Sequence, residues 1–209
     1  LHIYSMSPKN VKKCFTKKKN ARSKKMLKIE ETVGRIGKII SGLKAISRNA
    51  ESDPMEKLNL RDVIEDSIVL SKEKFKREDN KLIIDYDERD IYILGRRAQV
   101  TQVLINLFNN SIDALEGQDS PWTKLCVRSL PGEVKISILD SGNGIDSEAL
   151  EKLMLPFFTT KPMGKGTGLG LSISKRIIED HNGTFNYDQE SENTSFTISL
   201  PLLDKAKSA

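Results

Sequence analysis

No apolar run in this chain approaches the roughly 18 residues that a membrane-spanning helix needs, so nothing in it reads as a transmembrane segment. A secretory signal pattern is also missing. Cysteine is scarce: Cys14 and Cys126 stand far apart, with no Cys or His at metal-ligand spacing. That excludes a zinc module and a disulfide framework, and it predicts ordinary thiols in a reducing, cytoplasmic compartment, whether or not a parent protein is membrane-anchored. Histidine is equally rare, at two residues, His2 and His181. Acidic residues are absent from positions 1–29, where ten Lys or Arg gather. The whole chain carries a net charge of +5, so residues 30–209 sum to −5. A basic tail can attract nucleic acid or anionic lipid. Here no aromatic interleaving and no nucleic-acid motif accompanies it. It reads as a solvated helix face or loop, with no nucleic-acid partner and no membrane contact by this fragment.

What the chain does have is an ordinary globular balance, 37% apolar and 30% charged. It also has glycine in two clusters between Asp140 and Ser172. The first is Asp140-Ser-Gly142-Asn-Gly144. The second is Gly164-Lys-Gly166-Thr-Gly168-Leu-Gly170-Leu-Ser172. Glycine lets a backbone approach a ligand closely, where a Cβ would block it. The second cluster leads straight into a helical pattern (Leu171, Ile173, Ile177, Ile178), and helix starts bind phosphate through free N–H groups. A nucleotide is the natural candidate. Two familiar glycine motifs are excluded by spacing. A dinucleotide fingerprint counted from Gly164 or Gly166 puts Leu169 or Leu171 where its last Gly belongs, and the Gly164-Lys165 pair is followed by Gly166 rather than Ser or Thr.

Two domains are predicted. Residues 1–50 form a partial helical segment. From about Arg22 to Ser47, the residues Met26, Ile29, Val33, Ile36, Ile40 and Leu43 repeat with 3,4 spacing, the seam of a helix packed lengthwise on others. One such helix cannot bury its seam alone, so a helical hairpin or a dimeric bundle is implied, the second being a homodimer through helix 22–48. Residues 49–56 are turn-rich and mark a linker. Residues 57–204 form a mixed domain. Asn59 caps a helix bearing Leu60, Val63, Ile64, Ile68 and Phe75. Strands are predicted near 81–86, 90–94, 123–129, 133–139, 184–188 and 195–200, and helices at 97–115, 147–153 and 169–181. The segment 154–168 has no period. The fold class is α+β, a mixed sheet with helices on one face.

Helix 97–115 carries a second signal. Val100, Val103, Leu104, Leu107 and Phe108 share its apolar side. Gln102, Asn106, Asn110 and Asp113 form the opposite stripe, at offsets of 4, 4 and 3. Asn is a poor helix former, so Asn106, Asn109 and Asn110 need a reason. The reading is that Asn106 and Asn110 face the nucleotide, where an amide oxygen suits magnesium.

Together these segments resemble the sensor histidine kinases of two-component systems. Gln102-Val-Leu-Ile-Asn106-Leu-Phe-Asn-Asn110-Ser-Ile-Asp-Ala looks like the family's N box. The first glycine cluster, Pro156-Phe-Phe-Thr-Thr-Lys161 and the second cluster look like its first glycine box, F box and second glycine box. Order and spacing match over roughly 57–201, ending in Ser199-Leu200-Pro201. The resemblance implies a GHKL (Bergerat-type) α/β sandwich binding ATP and Mg, preceded by the dimerisation and phosphotransfer helices. It implies that Asp140 accepts a hydrogen bond from the adenine amino group, with Gly142 and Gly144 closing over the base. It makes Asn110 the Mg ligand, with Asn106 and Lys161 catalytic. Residues 156–168 become a mobile lid. Gly166, Gly168 and Gly170 offer N–H groups to the phosphates, Lys161 or Lys165 neutralises them, and Thr160, Thr167 and Leu169 complete the binding set. The implied activity is a histidine autokinase that passes its phosphoryl group on to a response-regulator receiver domain.

Three departures matter. Asp113 stands where many relatives carry a phosphate-contacting Lys, and Ala114 follows where an aromatic is common; both shift phosphate contact toward the lid lysines. The family's phosphoacceptor motif is also missing. Ser7 stands at the offset from His2 where that motif has Pro, and Pro8 comes one place late. His181 precedes Asn182-Gly183, like a family turn, and reads as structural. The acceptor His is therefore expected upstream of Leu1. Two other functions fit parts of the pattern. A hydrolytic GHKL ATPase such as DNA gyrase or MutL would have a general-base Glu at the Asn106 position. A nucleotide-gated dimerisation module would need the glycine boxes only for binding.

Overall fold

The computed structural model describes residues 54–87, 89–162 and 166–203, together with Met26, Thr32 and Gly37. The expected seam helix 22–48, the residues 49–53 and Lys165 otherwise lie outside the described residues. The three described upstream positions are helical, and Met26, one of the seam residues, is 62% exposed.

The described elements run β1 (Glu56–Asn59), α1 (Leu60–Arg77), β2 (Lys81–Tyr86), β3 (Tyr92–Gly95), α2 (Arg97–Ala114), β4 (Trp122–Leu130), β5 (Glu133–Asp140), α3 (Ser147–Leu150), α4 (Gly170–Asp180), β6 (Thr184–Tyr187) and β7 (Thr194–Pro201). Five strands form one sheet in the order β2-β4-β5-β7-β6. β2 lies parallel to β4, and the other neighbours are antiparallel. The sheet is mixed and helices pack on it, as the strand pattern predicts.

The core follows from two periodicities. Along β5 and β7, alternate residues face inward in register: Val134 opposite Leu200, Ile136 opposite Ile198, Ile138 opposite Phe196. The polar partners Lys135 and Ser137 point to the other side. On α2, Val100, Val103, Leu104, Leu107, Phe108 and Ile112 are buried, the single stripe expected of a helix lying on a sheet. α1 joins it through Phe75, whose ring meets the edge of Phe108 at 5.5 Å and 68°, a geometry contributing about 0.5–1.5 kcal/mol beyond burial itself. Asn59 caps α1 as predicted, its side-chain oxygen accepting from Arg61 N at 2.9 Å. The β4–β5 hairpin turns at Pro131-Gly132, where φ of +83° requires glycine.

Sequence reasoning missed one strand and made one helix too long. Glu56–Asn59 reads as turn and cap, yet it pairs antiparallel with Tyr92–Gly95 in a separate two-stranded sheet. Only Leu58 of β1 is buried, so the segment carries no alternation to read. Its partner supplies the order. The short helix expected over 147–153 is regular only over Ser147–Leu150, and the chain then continues in turns. Asp146 is its N-cap residue but makes no side-chain cap bond.

Candidate functional site

A cavity of about 940 Å³ opens between α2, the end of β5, α3, the following loop and the start of α4. Asn106, Asn110, Asp140, Gly144, Thr160, Lys161, Gly166, Thr167, Gly168 and Gly170 all line it. Residues from four separated motifs therefore meet in one place. Gln102, the first of the polar stripe, stays exposed outside it. Gly142 lies just behind the wall, against Asp140. Leu169 is the N-cap residue of α4, and its side chain is buried in the core at 2% exposure.

Asp140 is the most buried of the polar residues lining the cavity, 2% exposed at the end of β5. Its Oδ1 accepts from Gly142 N at 3.0 Å. Burial pushes its carboxyl above the ordinary carboxylate range, and hydrogen bonds from Gly142 N–H, Ser111 and Thr194 only partly offset this. The turn beyond it needs small residues. A Cβ on Gly142 would sit 2.8 Å from Asp140 Oδ1 and 2.9 Å from Thr194 Oγ1. Gly144 has a φ of +87°, and Tyr187 Oη accepts from Ile145 N at 3.0 Å, holding the loop from β6.

The opposite end of the cavity is built by α4. Its N-terminus has no side-chain cap bond, and Gly170 and Leu171 line the cavity. Uncapped N–H groups there, with the helix dipole behind them, suit an anion. Asn106 is tied to this helix: its Nδ2 donates to Ser174 Oγ at 2.9 Å. A Cβ on Gly170 would collide with the Asn106 amide. One turn on, Asn110 Oδ1 accepts from Lys161 Nζ at 3.2 Å, and Lys161 also pairs with Asp113 at 2.7 Å. A cation thus already stands at the Asn110 oxygen. Burial pushes the Asp113 carboxyl up, but hydrogen bonds from Lys161 and Lys74 outweigh it and hold its pKa below the ordinary value.

Several site residues escaped sequence reasoning: Lys74 on α1, Ser111, Tyr187 and Thr194. Lys74, Tyr187 and Thr194 reach the site from elements with no motif, and Ser111 stands inside the N-box stretch without having been singled out. Only the i+4 and i+5 positions of Ser111 relative to Leu107 and Asn106 gave any hint. Glycine at 168 has a packing reason as well as a φ of +67°: a Cβ there would run into the backbone of Phe157 and Phe158. The two ends of the stretch 157–168 therefore pack on each other.

Comparison with known proteins matches this geometry. The family described as "Histidine kinase-, DNA gyrase B-, and HSP90-like ATPase" matches residues 95–204. The chain belongs to that ATPase family and, within it, to the sensor histidine kinases. It is 32% identical to sporulation kinase A of Bacillus subtilis over 170 residues, which is 81% of this chain and 27% of that protein. The catalytic domain of histidine kinase ThkA is 34% identical and superposes with a TM-score of 0.63, covering 70% of this chain and 97% of that one. ThkA in complex with response regulator protein TrrA gives a TM-score of 0.67 at 28% identity, covering 82% of this chain and 49% of that one. The chain spans between 20% and 36% of the length of these curated relatives. No helix among the described residues is long and apolar enough to cross a membrane.

Proposed function

We propose that this chain is the catalytic part of an ATP-dependent histidine autokinase in a two-component system. The observation that carries the reading is that one cavity has a buried carboxylate acceptor, Asp140, at one end and an uncapped helix start, at Gly170, at the other. An adenine amino group donates to the first, and a polyphosphate suits the second. Asn110 would hold a magnesium ion through its amide oxygen, a role supported by the ammonium already at 3.2 Å from that atom. Among the described residues no cluster of His, Cys, Asp or Glu could hold a metal by itself, so the nucleotide's phosphates would supply the other oxygens. The ion would draw charge from the leaving phosphate oxygens. Lys161, on the lid, is suited to the transferred phosphoryl group, and Thr160, Gly166, Thr167 and Gly168 to the polyphosphate; Lys165 belongs to the same lid.

Asn106 in place of an acidic residue speaks against hydrolysis. An amide that donates to Ser174 cannot take a proton from water. The phosphoryl acceptor would be a histidine of the dimer bundle, and the next acceptor an aspartate on a receiver domain. The complex of ThkA with TrrA supports that partner class, and the 22–48 seam supports a homodimer.

The test uses γ-labelled ATP with magnesium. This chain is compared with one extended about fifteen residues upstream, the length of roughly four helical turns. Acid-labile label on the extended chain alone, abolished by Asp140→Asn, is the expected outcome. Release of inorganic phosphate with no labelled protein would favour a hydrolytic ATPase.

A further inference from the structure

Lys74 lies in the cavity but belongs to none of the motifs. It sits in the last turn of α1. Its ammonium lies 2.5 Å from Asp113 Oδ1 and donates to Asn109 O at 3.4 Å. Lys161 takes the other carboxylate oxygen, Oδ2, at 2.7 Å. Asp113 thus has one ammonium on each oxygen. The three side chains are 23%, 32% and 26% exposed, so their charges are only partly screened by water.

The two lysines differ in how they are held. Lys74 stands on a regular helix packed against α2, and its two contacts both go to α2. Lys161 stands on the irregular segment before α4 and bridges to Asn110 as well. If Asn110 is to ligate a metal, Lys161 must release that oxygen when the metal nucleotide enters. It then becomes available to the polyphosphate. Without another cation, that movement would leave a bare carboxylate beside the most negative part of the ligand, where like charges repel strongly in a partly buried site.

We infer that Lys74 is a positioning residue for nucleotide binding: it keeps Asp113 neutralised, so that Lys161 can leave Asp113 for the polyphosphate. The inference rests on the nucleotide reading above and adds the source of preference for the phosphate tail over the nucleoside. Asp113 and Lys74 form a fixed pair, and Lys161 is the mobile third member.

The test is calorimetric titration of the full chain with the magnesium complex of AMPPNP, a non-hydrolysable ATP analogue, and separately with adenosine. Lys74→Met is expected to weaken AMPPNP binding about tenfold, the scale of one lost charge-assisted contact, while leaving adenosine within about twofold. Removing the stranded carboxylate should repair the defect, so Lys74→Met with Asp113→Asn is expected to return to near wild-type affinity. Lys74→Arg should retain it, and thermal melting checks that each variant folds. Equal loss of AMPPNP and adenosine, or no repair in the double variant, would show a merely structural α1–α2 contact and overturn the inference. Unchanged AMPPNP affinity in Lys74→Met overturns it too, while leaving the nucleotide site standing. A wild-type chain that binds neither ligand overturns the nucleotide reading and this inference with it.

Discussion

Asp140 and His181 are buried to nearly the same depth, 2% and 3% exposed, yet their surroundings are built on opposite plans. His181 ends α4 and has both ring nitrogens engaged. Nε2 accepts from Arg96 N at 3.0 Å, which leaves the ring proton on Nδ1, 2.7 Å from Ile177 O. The turn after it closes the helix through a residue with positive φ, Asn182, and a bond from Gly183 N to Ile178 O at 2.9 Å. Everything that ring can bond is already inside the protein. Asp140 instead has its bonds on the protein side and the cavity on the other. One buried polar group closes a joint between α4 and β3, and the other faces a space large enough for a ligand. Burial depth does not separate a structural group from a functional one; the direction of its remaining capacity does.

Removing the charge at Asp140 should break the contrast most sharply. Asp140→Asn is expected to lower nucleotide affinity about 100-fold, since a donor facing a charged acceptor contributes on the order of 1.5–3 kcal/mol. Its effect on the empty fold should have the other sign. The folded-state pKa lies above the unfolded one. The stabilisation from a protonated carboxyl is therefore present below the ordinary value and lost as pH rises through the folded pKa, which leaves a buried anion near neutrality. The neutral variant should melt higher at pH 7, by about 1 kcal/mol of added stability, a stability–function trade-off. A drop in melting temperature, or unchanged ligand affinity measured by titration, would contradict this account of the site.

A smaller effect is expected from Gly142→Ala, whose new Cβ would crowd Asp140 and Thr194. Overpacking of this kind costs about 1–3 kcal/mol, readable in denaturant unfolding, with loss of nucleotide affinity as the Asp140 carboxylate is displaced. If both are untouched, the turn is looser than its geometry implies.

The smallest effect should come from His181. Burial pushes its pKa below the ordinary value, although the Ile177 carbonyl works the other way. Its contribution is therefore complete above the unfolded pKa of about 6.5. It is lost as pH falls through the folded pKa, because a second ring proton cannot face Arg96 N–H. Stability should decline on acidification below about 6.5, and His181→Asn should flatten that limb of the profile while lowering stability at pH 7.5. Melting curves across pH 5–8 would decide it; an unchanged slope in the variant assigns the decline to other groups.

The two regions were also unequally legible in the sequence. The Asp140 side announced itself because ligand approach demands glycine at fixed offsets and because Asn106 and Asn110 are costly on a helix. Those signals are local to the chain and line one cavity. His181 was read as structural only from the turn that follows it, and its partner Arg96 lies 85 positions away in the sequence. Lys74 and β1 were missed for the same reason. Lys74 looks like any solvated residue of α1 until α2 packs beside it. Glu56–Asn59 has one buried side chain, and its strand character is conferred by β3. Asp113 was singled out as a departure from the family pattern. What the sequence could not supply was its second cation, because the pairing is made by the packing of two helices rather than by spacing along either.

The small β1–β3 sheet has one more consequence. β3 pairs with β1 along one edge, and on the far side of the domain's sequence Leu202 bridges Ile93 and Leu203 N donates to Tyr92 O at 2.8 Å. The polypeptide therefore enters and leaves this domain through the same three-segment seam. Leu202 also follows β7 directly and donates its N–H to Gly132 O at 3.1 Å, so the same seam is fastened to the five-stranded sheet. β3 therefore works as a clasp, holding Glu56–Asn59 and Leu202–Leu203, far apart in sequence, side by side.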